Sequence, residues 1–353
     1  MIVTCSHDRN AFVWTWDSTL SEWKPSLVIL RIDRAAIDVK WSPDGQKFAV
    51  ASGAKSVPVC YYEANHTWWV SKMIKKHKST VTKIAWHPTG MLLATTSTDF
   101  KCRVFSSYIK DVDGENQVTG PFLSPAVFGE EYKEYGCLGW ANAVTWDSGG
   151  NKLAFTGHDS SLHVIDYSGC GGDSGVDGGE RTANIIRHGF LPFNEIGFIN
   201  NDSEIVGVGH DSIPMVFKDG GDGAWKFDRK CCKAKKTSIG AVASTASNVS
   251  AARSLFQNKV SKGEDSSSKG SSAIASKEKH GEYQVDESEA IHENPIVSLR
   301  FDGFGSGHGG FSTSGMDGRV CIWEGGDVGA SVAGITEGVA SMNKPPPPPK
   351  RNF

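Results

Sequence analysis

No feature of this chain constrains its fold more than a short cassette that keeps returning. Ser6-His7-Asp8 leads to Trp14, Ser97-Thr98-Asp99 to Phe105, and Gly157-His158-Asp159 to Ile165. Gly209-His210-Asp211 leads likewise to Phe217, and Gly315-Met316-Asp317 to Trp323. In every copy the aspartate is followed six residues later by a large apolar residue. A further copy, Gly53-Ala54-Lys55 to Tyr61, keeps the frame but carries lysine in place of the aspartate. Self-similarity at a spacing of roughly 45–60 residues implies stacked units, none of which buries its apolar face alone.

A second signature precedes the cassette. Ile37–Trp41, Val81–Trp86 and Ala143–Trp146 each alternate and end in tryptophan. Pro43-Asp44-Gly45, Pro88-Thr89-Gly90 and Ser148-Gly149-Gly150 follow as turns. Lys47–Val50, Met91–Ala94 and Lys152–Phe155 then resume as strands. Period-two alternation bounded by Gly/Pro turns reads as a β-meander. The aspartates at 8, 99, 159, 211 and 317 fall in the second turn of each unit, where a carboxylate can accept backbone N–H groups and hold the turn closed. Trp14, Trp41, Trp86, Trp146 and Trp323 mark the strands on either side. This grammar resembles the WD40 family, whose sheets ring a central channel, so an all-β propeller is expected.

The pattern breaks in three places. Ile2–Cys5 and Ala11–Trp14 read as the closing strands of a unit whose opening strands are absent. The expectation is a seven-bladed frame with its first blade missing; a six-bladed ring with an unusual closure is the other reading. Asp211 and Asp317 stand roughly twice the usual spacing apart. Between them, Lys230–Lys279 is rich in Lys, Ser, Ala and Gly, a composition that cannot offset its own ordering entropy. Ala251–Val260 interrupts it with helix formers, and Leu255, Phe256 and Val260 form a stripe suited either to a partner's groove or to a transient turn in a solvated linker. Third, the chain carries Pro345–Pro349 followed by Lys350-Arg351, a polyproline run that either suits an aromatic groove or stays solvated. The expected divisions are propeller blades over 1–227, a low-complexity insert over 228–290, a last blade over 291–325 and a flexible tail over 326–353.

A length of 353 residues with 39% hydrophobic and 10% aromatic content suits one large propeller with a sizeable core. A net charge of -3 argues against a coat for nucleic acid or an anionic membrane. No apolar run is long enough to insert across a bilayer, and MIVTCSHDRN lacks the apolar region of a signal peptide. The eight cysteines show no Cys-x-x-Cys pair, so reduced thiols in the cytosol are expected, with no metal.

Signs of catalysis are weak. His158-Asp159-Ser160 and His210-Asp211-Ser212 imitate a triad, but each sits at the same offset of a structural repeat, and a triad needs convergence in space. Gly305–Gly310 satisfies G-x-G-x-x-G, yet a strand follows it where a phosphate site needs a helix. Arg229, Lys230, Lys233, Lys235 and Lys236 read as solvated charges of the insert. No catalytic residue, cofactor or metal is expected.

Several tracts go beyond generic repeat grammar. Thr4–Thr15, Trp23–Ile32, Asp99–Lys110 and Gly315–Gly318 strongly resemble subunit 1 of the actin-related protein 2/3 complex, in the family's order along the chain. The resemblance extends nearly from Met1 to Trp323. It implies seven blades, a non-catalytic scaffold role in supporting branched actin nucleation, and a cytoplasmic, cytoskeletal location. Actin-related proteins, other subunits of the complex and actin filaments would be the partners. It also implies an actin-reaching helix at the place of Ala251–Val260, so Arg253, Leu255, Phe256 and Val260 become candidate partner-binding residues. A propeller scaffold of another kind, such as a ubiquitin-ligase substrate receptor or a trafficking coat, is the rival reading.

Overall fold

The computed structural model describes residues 1–114, 127–168, 183–221, 223–231, 291–301, 310–324 and 331–337, with Glu324 and 331–337 as backbone alone. The chain divides into two compact units, residues 1–234 with 287–353 and residues 235–286; the second lies outside the described residues.

The alternating segments form six antiparallel sheets, each a meander of consecutive strands. The first has three strands, β1 (Ile2–Cys5), β2 (Asn10–Asp17) and β3 (Glu22–Ile29). The second holds β4 (Ala36–Trp41), β5 (Lys47–Ser52), β6 (Val57–Glu63) and β7 (Trp68–Ile74). The third holds β8 (Val81–Trp86), β9 (Leu92–Ser97) and β10 (Lys101–Ser106); a short helix α1 (Lys110–Asp113) then precedes β11 (Glu131–Gly136). The fourth holds β12 (Ala141–Trp146), β13 (Lys152–Gly157), β14 (Ser161–Asp166) and β15 (Asn184–Arg187). The fifth holds β16 (Phe193–Ile199), β17 (Glu204–Gly209), β18 (Met215–Asp219) and β19 (Trp225–Lys230). The sixth holds β20 (Ile296–Arg300), β21 (Phe311–Gly315), β22 (Arg319–Glu324) and β23 (Ser331–Glu337).

Each sheet packs on the next through its first strand: β1 on β4, β4 on β8, β8 on β12, β12 on β16 and β16 on β20. Hydrogen bonds stitch these inner strands together. Thr82 Oγ1 donates to the Ala141 carbonyl at 2.6 Å, Asn142 Nδ2 to Phe193 at 3.4 Å and Asn194 Nδ2 to Ile296 at 3.1 Å. All three donors occupy the second position of an inner strand. Val297 holds that position in β20, has nothing to donate, and is exposed.

Burial follows from this stacking. β5, β9 and β17 are buried on both faces, because a sheet lies on either side. The first sheet is buried on one face only: Ala11, Val13, Val28 and Leu30 pack with Phe48, Val50 and Cys60, while Ile2, Leu27 and Ile29 are exposed. The sixth sheet likewise buries Phe311, Cys321 and Trp323 against the fifth and exposes Val320. No comparable packing joins β20 to β1 among the described residues. These residues make a six-sheet propeller.

Three details correct the sequence reading. β19 runs to Lys230, past the boundary expected at 227, and Arg229 reaches back to Glu204 at 2.8 Å instead of lying loose in the insert. β23 lies within the stretch read as a flexible tail and pairs antiparallel with β22. Helix α1 was not foreseen. Its Asp113 accepts from the buried Lys47 ammonium at 2.7 Å, so a strand-borne lysine anchors the helix.

Candidate functional site

Four of the turn aspartates reach beyond their own turns. Asp99 accepts the Lys78 N–H at 2.9 Å, Asp159 that of Leu138 at 3.2 Å, Asp211 that of Leu191 at 2.8 Å and Asp317 that of Glu293 at 3.0 Å. In every case the donor lies on the connection entering the same sheet, roughly 20–25 residues upstream. Each carboxylate therefore fixes where its sheet's inner strand begins. Among the described residues Asp8 accepts only the Asn10 N–H of its own turn, at 3.0 Å.

In the sixth sheet this strap extends into a buried relay. Trp323 Nε1 donates to Thr313 Oγ1 at 2.9 Å, and Thr313 Oγ1 lies 2.8 Å from His292 Nε2. His292 Nδ1 lies 3.1 Å from Asp317 Oδ2. A carboxylate only accepts, so in the neutral ring Nδ1 carries the hydrogen and Nε2 accepts from the threonine hydroxyl. The third sheet keeps His77 Nε2 on Thr95 at 2.9 Å, but Phe105 has no donor, and Arg103 takes Asp99 at 2.8 Å. The first sheet keeps Trp14 Nε1 on Thr4 at 2.9 Å.

The inner-strand tryptophans diverge. Trp86 Nε1 donates to the Lys40 carbonyl at 2.9 Å. The ring N–H groups of Trp41 and Trp146 are buried with no hydrogen-bond partner among the described residues; Trp41 packs on Phe48 and Trp146 on His87.

The inner strands bring charges together around the channel. Lys83 lies 3.8 Å from Asp38, and Arg300 lies 3.1 Å from Glu195. Glu195 also accepts the Leu299 N–H at 2.7 Å, tying the fifth sheet to the sixth. Lys40 sits among these four groups. Burial draws its pKa down, against the pull of Asp38 and Glu195. At one mouth of the channel an open cavity of about 470 Å³ is lined by Thr82, Lys83, Trp140, Asn142, His158, Asn194, His210, Pro295, Val297 and Met316. Trp140, Met316 and the nearby turn residues Leu138 and Leu191 are largely exposed, so this mouth presents apolar contact area with a few polar anchors.

The triad look-alikes do not assemble. Ser160 Oγ donates to the Phe190 carbonyl at 2.7 Å, and His158 packs on Trp140. Asp159 instead accepts from Ser161, which meets His163 Nε2 at 2.9 Å. A serine between acid and base has no nucleophilic logic, since the histidine cannot take its proton under the carboxylate's direction. Among the described residues no group of three or more His, Cys, Asp or Glu is placed to hold a metal ion, and no helix is long and apolar enough to cross a membrane. Arg253, Leu255, Phe256 and Val260 lie outside the described residues, as does Gly305–Gly309.

Six meander sheets around a channel, each oriented by its turn, define a repeat propeller of the WD40 class. Residues 39–120 match the family model of the anaphase-promoting complex subunit 4 WD40 domain. Over 333 residues the chain is 41% identical to actin-related protein 2/3 complex subunit 1B of Arabidopsis thaliana, an alignment covering 92% of this chain and 79% of that protein. It is 38% identical to subunit 1A-B of Xenopus laevis (92% and 78% covered) and 36% identical to subunit 1 of Saccharomyces cerevisiae (91% and 80% covered). The chain belongs to the actin-related protein 2/3 complex subunit 1 family.

Proposed function

We propose that this chain is a non-catalytic scaffold subunit of an actin-related protein 2/3 complex in the cytoplasmic cytoskeleton, where it supports nucleation of branched actin filaments. Its partners are the actin-related proteins and the other subunits; nucleic acid and membrane are not among them. The observation that carries this reading is identity of 35–42% over about 92% of the chain with proteins named for that complex in a plant, a frog and two yeasts. The geometry agrees with it: stacked sheets offer rigid, many-sided surface, and the histidine–aspartate pairs of the turns are occupied with structure.

In this reading Arg253, Leu255, Phe256 and Val260 contact actin from the insert. The one-sided burial of the first and sixth sheets supports a seven-sheet frame with one position unfilled by the described residues. Affinity capture of the tagged chain from lysate, sized on a gradient and probed for the two actin-related proteins, tests the assignment. Co-sedimentation in one large complex is the expected result, and a chain that never meets either protein overturns it. Replacing Leu255 and Phe256 with Asp is expected to weaken filament binding while assembly persists; collapse of assembly instead would show the insert to be structural.

A further inference from the structure

We draw no further inference here: the strongest candidate, the apolar rim of the channel mouth formed by Leu138, Trp140, Leu191 and Met316, carries none because nothing in the structure shows what covers it.

Discussion

His292 and Asp317 meet across the sixth sheet with Nδ1 3.1 Å from Oδ2, and both are almost wholly buried. Through them the connection before β20 and the turn between β21 and β22 become one unit. Burial works against the Asp317 charge. The N–H groups of Arg319 and Glu293, together with His292, outweigh it, so its pKa lies below the ordinary carboxylate value.

Because each member of this relay satisfies the next, their losses should not add. His292→Ala is expected to cost about 1–3 kcal/mol, the penalty for stranding a buried partner. Thr313→Val should then cost less in the His292→Ala background than alone. Urea denaturation of the two single variants and the double measures the coupling, and simple additivity would contradict a relay.

The histidines give the fold an acid limit. Burial lowers the pKa of His77, His163 and His188 from 6.5 to about 4. Between those values the unfolded chain takes up protons that the folded chain refuses, so stability falls as pH drops from about 6.5 to about 4. His188 stacks near Phe190 and Phe193, and His188→Phe keeps that packing without a titrating ring. Melting temperatures across this window should fall less steeply in the variant than in the parent chain.

Lys47 is fully buried, with its ammonium 2.7 Å from Asp113 and 3.2 Å from the Ser107 carbonyl. Asp113→Ala leaves that charge without its counter-ion and is expected to destabilise by about 3–5 kcal/mol. Adding Lys47→Met removes the stranded charge while keeping most of the stem's volume, so the double variant should recover part of the loss. A double variant less stable than Asp113→Ala would show that packing, not charge, dominates here.

Gly150 serves a contact between sheets. It adopts φ +73°, and a Cβ there would lie 2.1 Å from Nε2 of His87, which binds the Gly150 carbonyl at 3.0 Å. Gly150→Ala combines backbone strain with a clash and is expected to cost about 2 kcal/mol or more. Calorimetry of the variant against Gly45→Ala, where φ is +70° but the space is open, separates the two contributions.

How far the sequence alone reaches can be followed residue by residue. The strands and turns are legible because alternation and Gly/Pro punctuation are local signals. What each aspartate holds is not, since its partner is a backbone N–H on a distant connection and carries no residue signature. Trp41, Trp86 and Trp146 look equivalent in sequence, yet among the described residues only Trp86 finds an acceptor, because that depends on the neighbouring sheet. Arg229 reads as one of a loose basic cluster until Glu204 is brought beside it by pairing of β17, β18 and β19. β23 is obscured by glycine-rich sequence, and its pairing comes from β22 more than from its own pattern.

Among the described residues no packing comparable to that between the other neighbouring sheets joins β20 to β1, so the stack they form has two ends. In a closed ring every sheet is clamped by two neighbours, and loosening one means breaking two interfaces. Among the described residues the terminal sheets are each held by one. Loss of structure should begin at these ends and travel inward like a fraying rope, leaving β8 to β15 as the most durable segment. Stability among the described sheets is therefore expected to form a gradient along the stack.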